Sequence, residues 1–153
     1  MAINPTSLRE QISENIEQVL ADMSDPQPVL VTRELFEVEK LAITQFPAIL
    51  IQLVNETRET VTMGTTGRRV GELNYTIRCF VRGTELDSRR NQLMDAIETA
   101  LDSDRYRNLK ATSEGNAVLN SQVTEIIVIP RQPPLAEFTI NFRVNYNYIR
   151  GTA

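Results

Sequence analysis

The sequence predicts an α+β fold in which two helices pack on one face of a mostly antiparallel sheet, and two observations indicate it. Apolar residues recur at helical spacing near the N-terminus and again in the segment 87–101. Alternation of apolar and polar residues is strict in the segment 138–148 and is broken only at Phe80 in 73–81, and the segment 123–129 is a third strand-like run rich in Ile and Val. Period 3.6 is typical of a helix with one buried face, and period 2 of a strand with one buried face. A chain of 153 residues is long enough for one domain, so we expect residues 1–153 to form a single unit.

The first helix is predicted over Ser7–Met23. Ser7 and Glu10 have the spacing of a capping box, and prolines in "SDPQP" end the helix because proline cannot continue one. Its apolar positions fall on one face: Leu8, Ile12, Ile16, Val19, Leu20 and Met23.

Two strand-like runs follow this helix. The first is "VLVTRELFEV", Val29–Val38, and the second, "FPAILIQLVNE", begins at Phe46. Next, Asn55–Leu73 carries three glycines among Thr and Arg, with strand-like ends around a Gly-Thr-Thr-Gly tip. We expect a long hairpin arm or a mobile loop there.

The second half of the chain is predicted to form a strand, a helix and then two strands. Leu73–Val81 is a strand, and Asp87 or Ser88 is expected to cap a helix over Asp87–Leu101. Val123–Ile129 ends at Pro130, and the chain turns into a closing strand that pairs antiparallel with it. The closing strand, Phe138–Tyr148, places its aromatic and aliphatic residues on one face and mostly Thr and Asn on the other.

Composition argues against several classes of protein. The net charge of −4 and the pI of about 5.0 disfavour a duplex-binding protein held by phosphate neutralisation. No apolar run approaches the roughly 20 residues that span a bilayer, and the N-terminus does not have the pattern of a signal peptide. The single cysteine excludes an internal disulfide and suits a reducing compartment such as a cytoplasm.

The residues give little support for catalysis or for a cofactor or metal site. There is no histidine, and one cysteine cannot build a usual zinc site. "DSDRYRNLKATSE" fails the calcium-loop pattern at three positions, and "GTTGRRVG" lacks the spacing of a phosphate loop. Two rival functions stay open: a small enzyme using carboxylates such as Glu56 and Glu59, and a nucleic-acid-binding domain using the arginine pairs.

In the second predicted helix, the charged side chains at the two ends are opposite to those that the helix dipole favours. Arg89 and Arg90 lie in the first turn, and Asp102 and Asp104 lie at the end, whereas a helix dipole favours acids first and bases last. One interpretation is local pairing. The other is a contact between subunits in which the arginines of one copy face the acids of the next, which is a head-to-tail contact that closes into a ring.

Two further surfaces are candidates for contacts with partners. In the arm, Val61 and Met63 offer apolar anchors, and Arg68 and Arg69 offer charge for acids on a partner. The Thr and Asn face of the closing strand, with Asn141 and Asn145, either lies against a neighbouring subunit or a lumen or is a plain solvent face.

The order of elements resembles the tail terminator (tail completion) proteins of long-tailed bacteriophages. The resemblance is carried by "SLREQISENIEQVL", "FPAILIQL", the polar arm, "LNYTIRCFVRG", "RRNQLMDAIETAL" and "FRVNYNYIRG", and it covers most of the chain.

This resemblance implies a structural virion protein, not an enzyme, that is assembled in the host cytoplasm and forms a ring, usually a hexamer, in the neck of the particle. The ring caps the tail tube protein, stops its polymerisation and offers its other face to the head connector or stopper protein, while DNA passes through the lumen without specific binding. The alternative within the same particle is a head-completion or connector adaptor, or a baseplate component.

Overall fold

The computed structural model describes residues 8–60, 68–103, 107 and 117–149. Its helices are α1 (Leu8–Ala21) and α2 (Leu86–Asp102), and its strands are β1 (Leu30–Thr32), β2 (Ala48–Thr60), β3 (Arg68–Arg82), β4 (Ala117–Ile129) and β5 (Leu135–Ile149). The strands form one sheet in the order β1-β2-β3-β5-β4. β1 runs parallel to β2 and all other pairs are antiparallel, which confirms the predicted α+β class.

Both helices pack on the same face of this sheet. The buried helical residues are Leu8, Ile12, Ile16 and Leu20 of α1 and Leu93, Ile97 and Leu101 of α2. They meet the alternate residues of β3 and β5, among them Phe138, Phe142 and Tyr146, each at most 1% exposed. The core face predicted for the closing strand is therefore confirmed, since burial of one face of a strand requires period 2.

A second, smaller apolar cluster lies on the opposite face, at one end of the sheet. Its buried members are Val38, Ala48 and Phe80, and the Phe36 ring meets the Phe80 ring edge-on at 5.7 Å. The sequence interpretation of Val29–Val38 as a strand is wrong beyond Thr32. The chain there turns over the sheet and forms short 3₁₀ helices at Val38–Lys40 and Ile43–Gln45, because its apolar side chains cover Phe80.

The start of α2 also differs from the prediction. The helix begins at Leu86, its N-cap is Glu85 in the left-handed conformation with φ of 53°, and no side chain caps it. Asp87, predicted as a cap, lies within the first turn and forms an ion pair with Arg90.

The base of the predicted arm is part of the sheet. β2 and β3 stay paired as far as Thr60 and Arg69, and β5 extends along β3 to pair Ile149 with Arg68. Only the segment 61–67 of the predicted arm lies outside the described residues. A β-bulge at Val54, between the paired residues Leu53 and Asn55, interrupts β2.

Candidate assembly surfaces

Outside the small apolar cluster around Phe80, the face of the sheet opposite the helices is polar. We call it the polar face: Gln52, Asn55 and Thr57 of β2, Glu72, Asn74 and Thr76 of β3, Thr139, Asn141, Arg143, Asn145 and Asn147 of β5, and Asn120, Gln122 and Glu125 of β4. Neighbouring strands bring these residues into rows that run across the sheet.

Side chains on the polar face bond to one another along those rows. Asn74 Nδ2 donates to Asn55 Oδ1 at 2.8 Å, and Asn141 Nδ2 donates to Glu125 Oε1 at 3.1 Å. Arg143 Nε lies 3.7 Å from Glu72 Oε1. Asn141 and Asn145, singled out from the sequence, both lie here and are half-buried, two positions either side of Arg143.

Two atoms on this face are inaccessible to solvent and have no hydrogen-bond partner among the described residues: Arg143 Nε and Asn147 Oδ1. Such groups usually find a partner in native proteins. The polar face therefore has at least one hydrogen-bond donor, Arg143 Nε, and one acceptor, Asn147 Oδ1, that could bond to a polar partner or to water.

At the other end of the same face, Glu137 is buried between two arginines. Its carboxylate receives Arg78 Nη2 at 3.1 Å and Arg131 Nε at 2.8 Å, and Arg131 also reaches Glu39 at 3.0 Å. The two guanidiniums lie 5.2 and 5.9 Å from the centre of the Phe80 ring. The arginines that cross this face are therefore engaged in protein contacts, which disfavours the use of these two for nucleic acid.

The helix face carries a second carboxylate, that of Glu56, which is largely but not fully buried. Its side chain is 12% exposed and is held by Arg9 Nε at 2.6 Å, Arg58 Nε at 2.5 Å and the Tyr146 hydroxyl at 2.9 Å. Burial acts to raise the pKa of Glu56, but the hydrogen bonds from Arg9, Arg58 and Tyr146 outweigh it and lower the pKa to about 2. A general acid needs a raised pKa, so Glu56 is unsuited to the role that the rival enzyme hypothesis gave it; the side chain of Glu59 lies outside the described residues.

Nothing in the sequence pattern pointed to this Glu56 cluster. Arg9, Glu56 and Tyr146 come from three distant parts of the chain, and Glu56 reaches the helix face only because the Val54 bulge shifts the alternation of β2. Beside the cluster, the Tyr146 ring packs against Gly71, where a Cβ atom would be 2.5 Å from the ring.

The charged ends of α2 are differently engaged. Arg90 is bound to Asp87 one turn earlier, which supports the local interpretation for that arginine, whereas Arg89 and Asp102 are exposed. Asp104 lies outside the described residues. Arg107 is fully buried, donates from Nη2 to the Leu101 carbonyl at the end of α2, and lies 5.5 Å from the Phe142 ring centre, so it is not a solvated or DNA-facing arginine.

Two of the four candidate arm residues belong to the described part of the chain. Val61 and Met63 lie outside the described residues, and Arg68 and Arg69 belong to β3. Arg69 Nε is inaccessible to solvent and has no hydrogen-bond partner in the described part of the chain.

The remaining candidate groups are the cysteine, clusters that could bind a metal ion, and helices that could cross a membrane. Cys79 is fully buried, and burial raises the pKa of its thiol, so it is a core residue. Within residues 8–60, 68–103, 107 and 117–149, no three Cys, Asp or Glu side chains are placed to hold a metal ion. No helix in this part of the chain is long and apolar enough to cross a membrane.

Comparison with known proteins identifies a fold but no family. No protein-family model and no curated protein matches the chain. Among solved structures, it is similar to a chain in the virion of a native gene transfer agent particle, with a TM-score of 0.50 and 9% sequence identity. The likeness covers 92% of this chain and 95% of that chain, so the two share their architecture over nearly their whole lengths.

Proposed function

We propose that this protein is a structural virion component, a tail terminator whose copies form a ring, with a hexamer expected, on the last ring of the tail tube. The observation that carries the proposal is the likeness over nearly the whole chain to a chain of a virion particle. The order of elements, which resembles the tail terminators, supplies the finer assignment. In this role the ring stops polymerisation of the tube and binds the head connector or stopper protein on its other face.

The net charge of the chain is compatible with a channel through which DNA passes and disfavours a site that binds DNA tightly. A net charge of −4 disfavours tight electrostatic binding of the phosphate backbone. Two arginines on the sheet are bound to Glu137, and Arg107 is buried. We propose that the polar face, including Asn141 and Asn145, meets a neighbouring subunit or lines the lumen, because carboxamides bind water and polar groups without holding phosphate strongly.

We further propose that α2 contributes a head-to-tail contact through its ends, with Arg89 and Arg90 at one end and Asp102 and Asp104 at the other. The exposed Arg89 is the better test of the two arginines, because Arg90 is already bound to Asp87. Arg89→Glu should weaken ring formation and leave the monomer folded. Arg90→Glu, which also breaks the local pair, is the matched variant; if neither changes the mass of the assembly, this contact is refuted.

The arm is the proposed docking element for the tail tube or an adjacent subunit, through Val61, Met63, Arg68 and Arg69. Because β3 already begins at Arg68, the arm is best shortened within residues 62–67, which leaves the paired strands intact. The shortened protein should still form a ring and should fail to cap purified tail tubes. Normal capping by the shortened protein would show that the arm is not the docking element.

The decisive experiment for the function combines the mass of the assembly in solution with incubation on purified tail tubes. A ring that binds tube ends and stops their elongation supports a tail terminator. Binding to connector rings with no effect on tubes would point instead to a head-completion adaptor, and binding to neither would refute both assignments.

A further inference from the structure

The sheet has two edges with no partner strand in the described part of the chain. β4 pairs only with β5, and β1 covers only Ala48–Leu50 of β2, so β2 is unpaired on its outer side from Ile51 onward. Unpaired N–H and C=O groups along an edge are a template for another strand, and proteins usually protect them with lysines or prolines. β4 has neither, and Glu125 is its only charged residue.

β4 has the composition of a strand that is covered on both faces. Ile126, Ile127, Val128 and Ile129 follow one another, although an edge strand with a solvated face should alternate. Ile127 is 38% exposed and Val128 is 48% exposed. These apolar side chains at an open edge indicate that a further element covers them in the assembled protein.

The free edge of β2 offers a matching surface. Leu53 is 39% exposed and Val54 is 60% exposed. Ile51, Gln52 and Leu53 also line an open pocket of about 440 Å³ between this edge, Arg33 and α1. A strand laid along β2 would extend the line of β1 and place side chains in that pocket.

The backbone geometry of the two edges is compatible. Val29 N–H donates to the Pro47 carbonyl at 2.9 Å, so alternate residues of β2, including Ile51 and Leu53, direct their backbone groups outward. In every antiparallel pair of this sheet, hydrogen-bonded and non-hydrogen-bonded residue pairs alternate. Following this alternation from β2 through β3 and β5 to β4 shows that the backbone N–H and C=O groups of Ile126 and Val128 point outward. β4 is antiparallel to β2, so two copies laid side by side with their helices on the same side bring these edges together in antiparallel sense.

The β-bulges favour one register. If Val128 lies opposite Ile51, then Ile127 meets Gln52 and Ile126 meets Leu53, each pair on the same face. Beyond these pairs, β2 has an extra residue at Val54, and β4 has an extra residue at Thr124. Two single-residue insertions in neighbouring positions cancel, so pairing in this register continues as far as the second bulge of β4, at Leu119.

The area of such a contact favours a closed assembly over a dimer. About eight residue pairs at about 3.4 Å each, across a sheet and a helix layer each about 10 Å thick, give on the order of 500 Å² per edge. A stable interface needs about 800 Å² per partner. One edge alone is too small, whereas a ring uses both edges of every copy.

We propose that copies of this chain join edge to edge, the outer edge of β4 in one copy pairing antiparallel with the free edge of β2 in the next, with Ile127 beside Gln52. This inference deepens the proposed function by assigning the ring interface, and it rests on that function only for the closure into a ring. The joined sheet keeps all helices on one side and the polar face on the other.

Cysteine cross-linking tests the pairing directly. Ile127 and Gln52 would form a non-hydrogen-bonded pair, the kind in which cross-strand side chains lie closest. We expect Gln52→Cys/Ile127→Cys to give, under mild oxidation, a ladder of disulfide-linked oligomers that ends at one closed species. The native Cys79 is buried and does not need to be removed.

Matched variants make the outcome specific. Each single variant should stay uncross-linked, and an equal mixture of the two should give linked dimers and no ladder. Asn55→Cys/Ile127→Cys, out of register, should cross-link far less. Dimers from Ile127→Cys alone, or a double variant that stays uncross-linked while the protein assembles, would overturn the proposal. The test does not use tail tubes: a cross-linked ring that fails to cap tubes would refute only the tail-terminator role.

Discussion

Replacing Glu56 with glutamine tests the Glu56 cluster that fastens α1 to the sheet. The glutamine keeps the shape of the side chain but removes the negative charge that Arg9 and Arg58 contact at 2.6 and 2.5 Å. Hydrogen bonds to a charged group contribute about 1.5–3 kcal/mol, against about 0.5–1.5 kcal/mol for neutral ones. Both arginine side chains are partly exposed, so solvent screens them, and we expect Glu56→Gln to lower the free energy of unfolding by about 1–2 kcal/mol at pH 7.

The pH dependence gives an independent measure of the same contribution. The pKa of Glu56 is about 2 in the folded protein, against an ordinary value of 4.5. Because the folded value is the lower one, this stabilisation is present above pH 4.5 and is lost as the pH falls through 2. Full conversion of that difference would give about 3 kcal/mol, which solvent screening reduces to the same 1–2 kcal/mol.

The assay is urea unfolding of the wild type and Glu56→Gln from pH 7 to pH 2, at concentrations where the chain is monomeric. The gap between the two proteins should be widest at pH 7 and should close toward pH 2. Glu39→Gln is the matched control, because Glu39 also contacts an arginine, Arg131, but lies exposed, and it should change little. A gap that is absent at pH 7, or that does not narrow in acid, would refute the assigned role of Glu56.

Substitutions at three further places test the packing around this cluster and elsewhere. Gly71→Ala should cost about 1–3 kcal/mol, because its Cβ would lie 2.5 Å from the Tyr146 ring; equal thermal stability of variant and wild type would contradict that contact. Ser13→Ala removes the partner of the buried Tyr75 hydroxyl, 2.7 Å away, and should cost about 1–3 kcal/mol, whereas adding Tyr75→Phe to it should recover part of the loss in a double-mutant cycle. Phe80→Ala should cost about 3–5 kcal/mol in denaturant unfolding, since Phe80 is 2% exposed at the centre of the second cluster, and a loss below 1 kcal/mol would show that this cluster is not a packed core.

The elements that the sequence predicted well are those with a strong single period. Alternation in Phe138–Tyr148 and the helical spacing of Ile12, Ile16 and Leu20 follow directly from burial of one face, so the pattern alone identifies both the element and its core side. The strand predicted over Val29–Val38 holds at Leu30–Thr32 and is wrong beyond Thr32, because the apolar residues that follow pack over Phe80 in an irregular turn, and packing onto a ring needs no period. The start of α2 was missed because its N-cap, Glu85, uses backbone conformation and no capping side chain.

The sequence by itself determined the α+β class, the two helices on one face, the polar face of the closing strand and the absence of histidine chemistry. Tertiary structure decided which residues meet: it brought Arg9, Glu56 and Tyr146 together, buried Arg107 against Phe142 and bound Arg90 to Asp87. Among the described residues, it also left β4 and part of β2 as edges without a partner strand. The physical reason is that periodicity reports only how one element divides between core and solvent. Contacts between elements depend on strand order, register and bulges, which single segments of sequence do not encode.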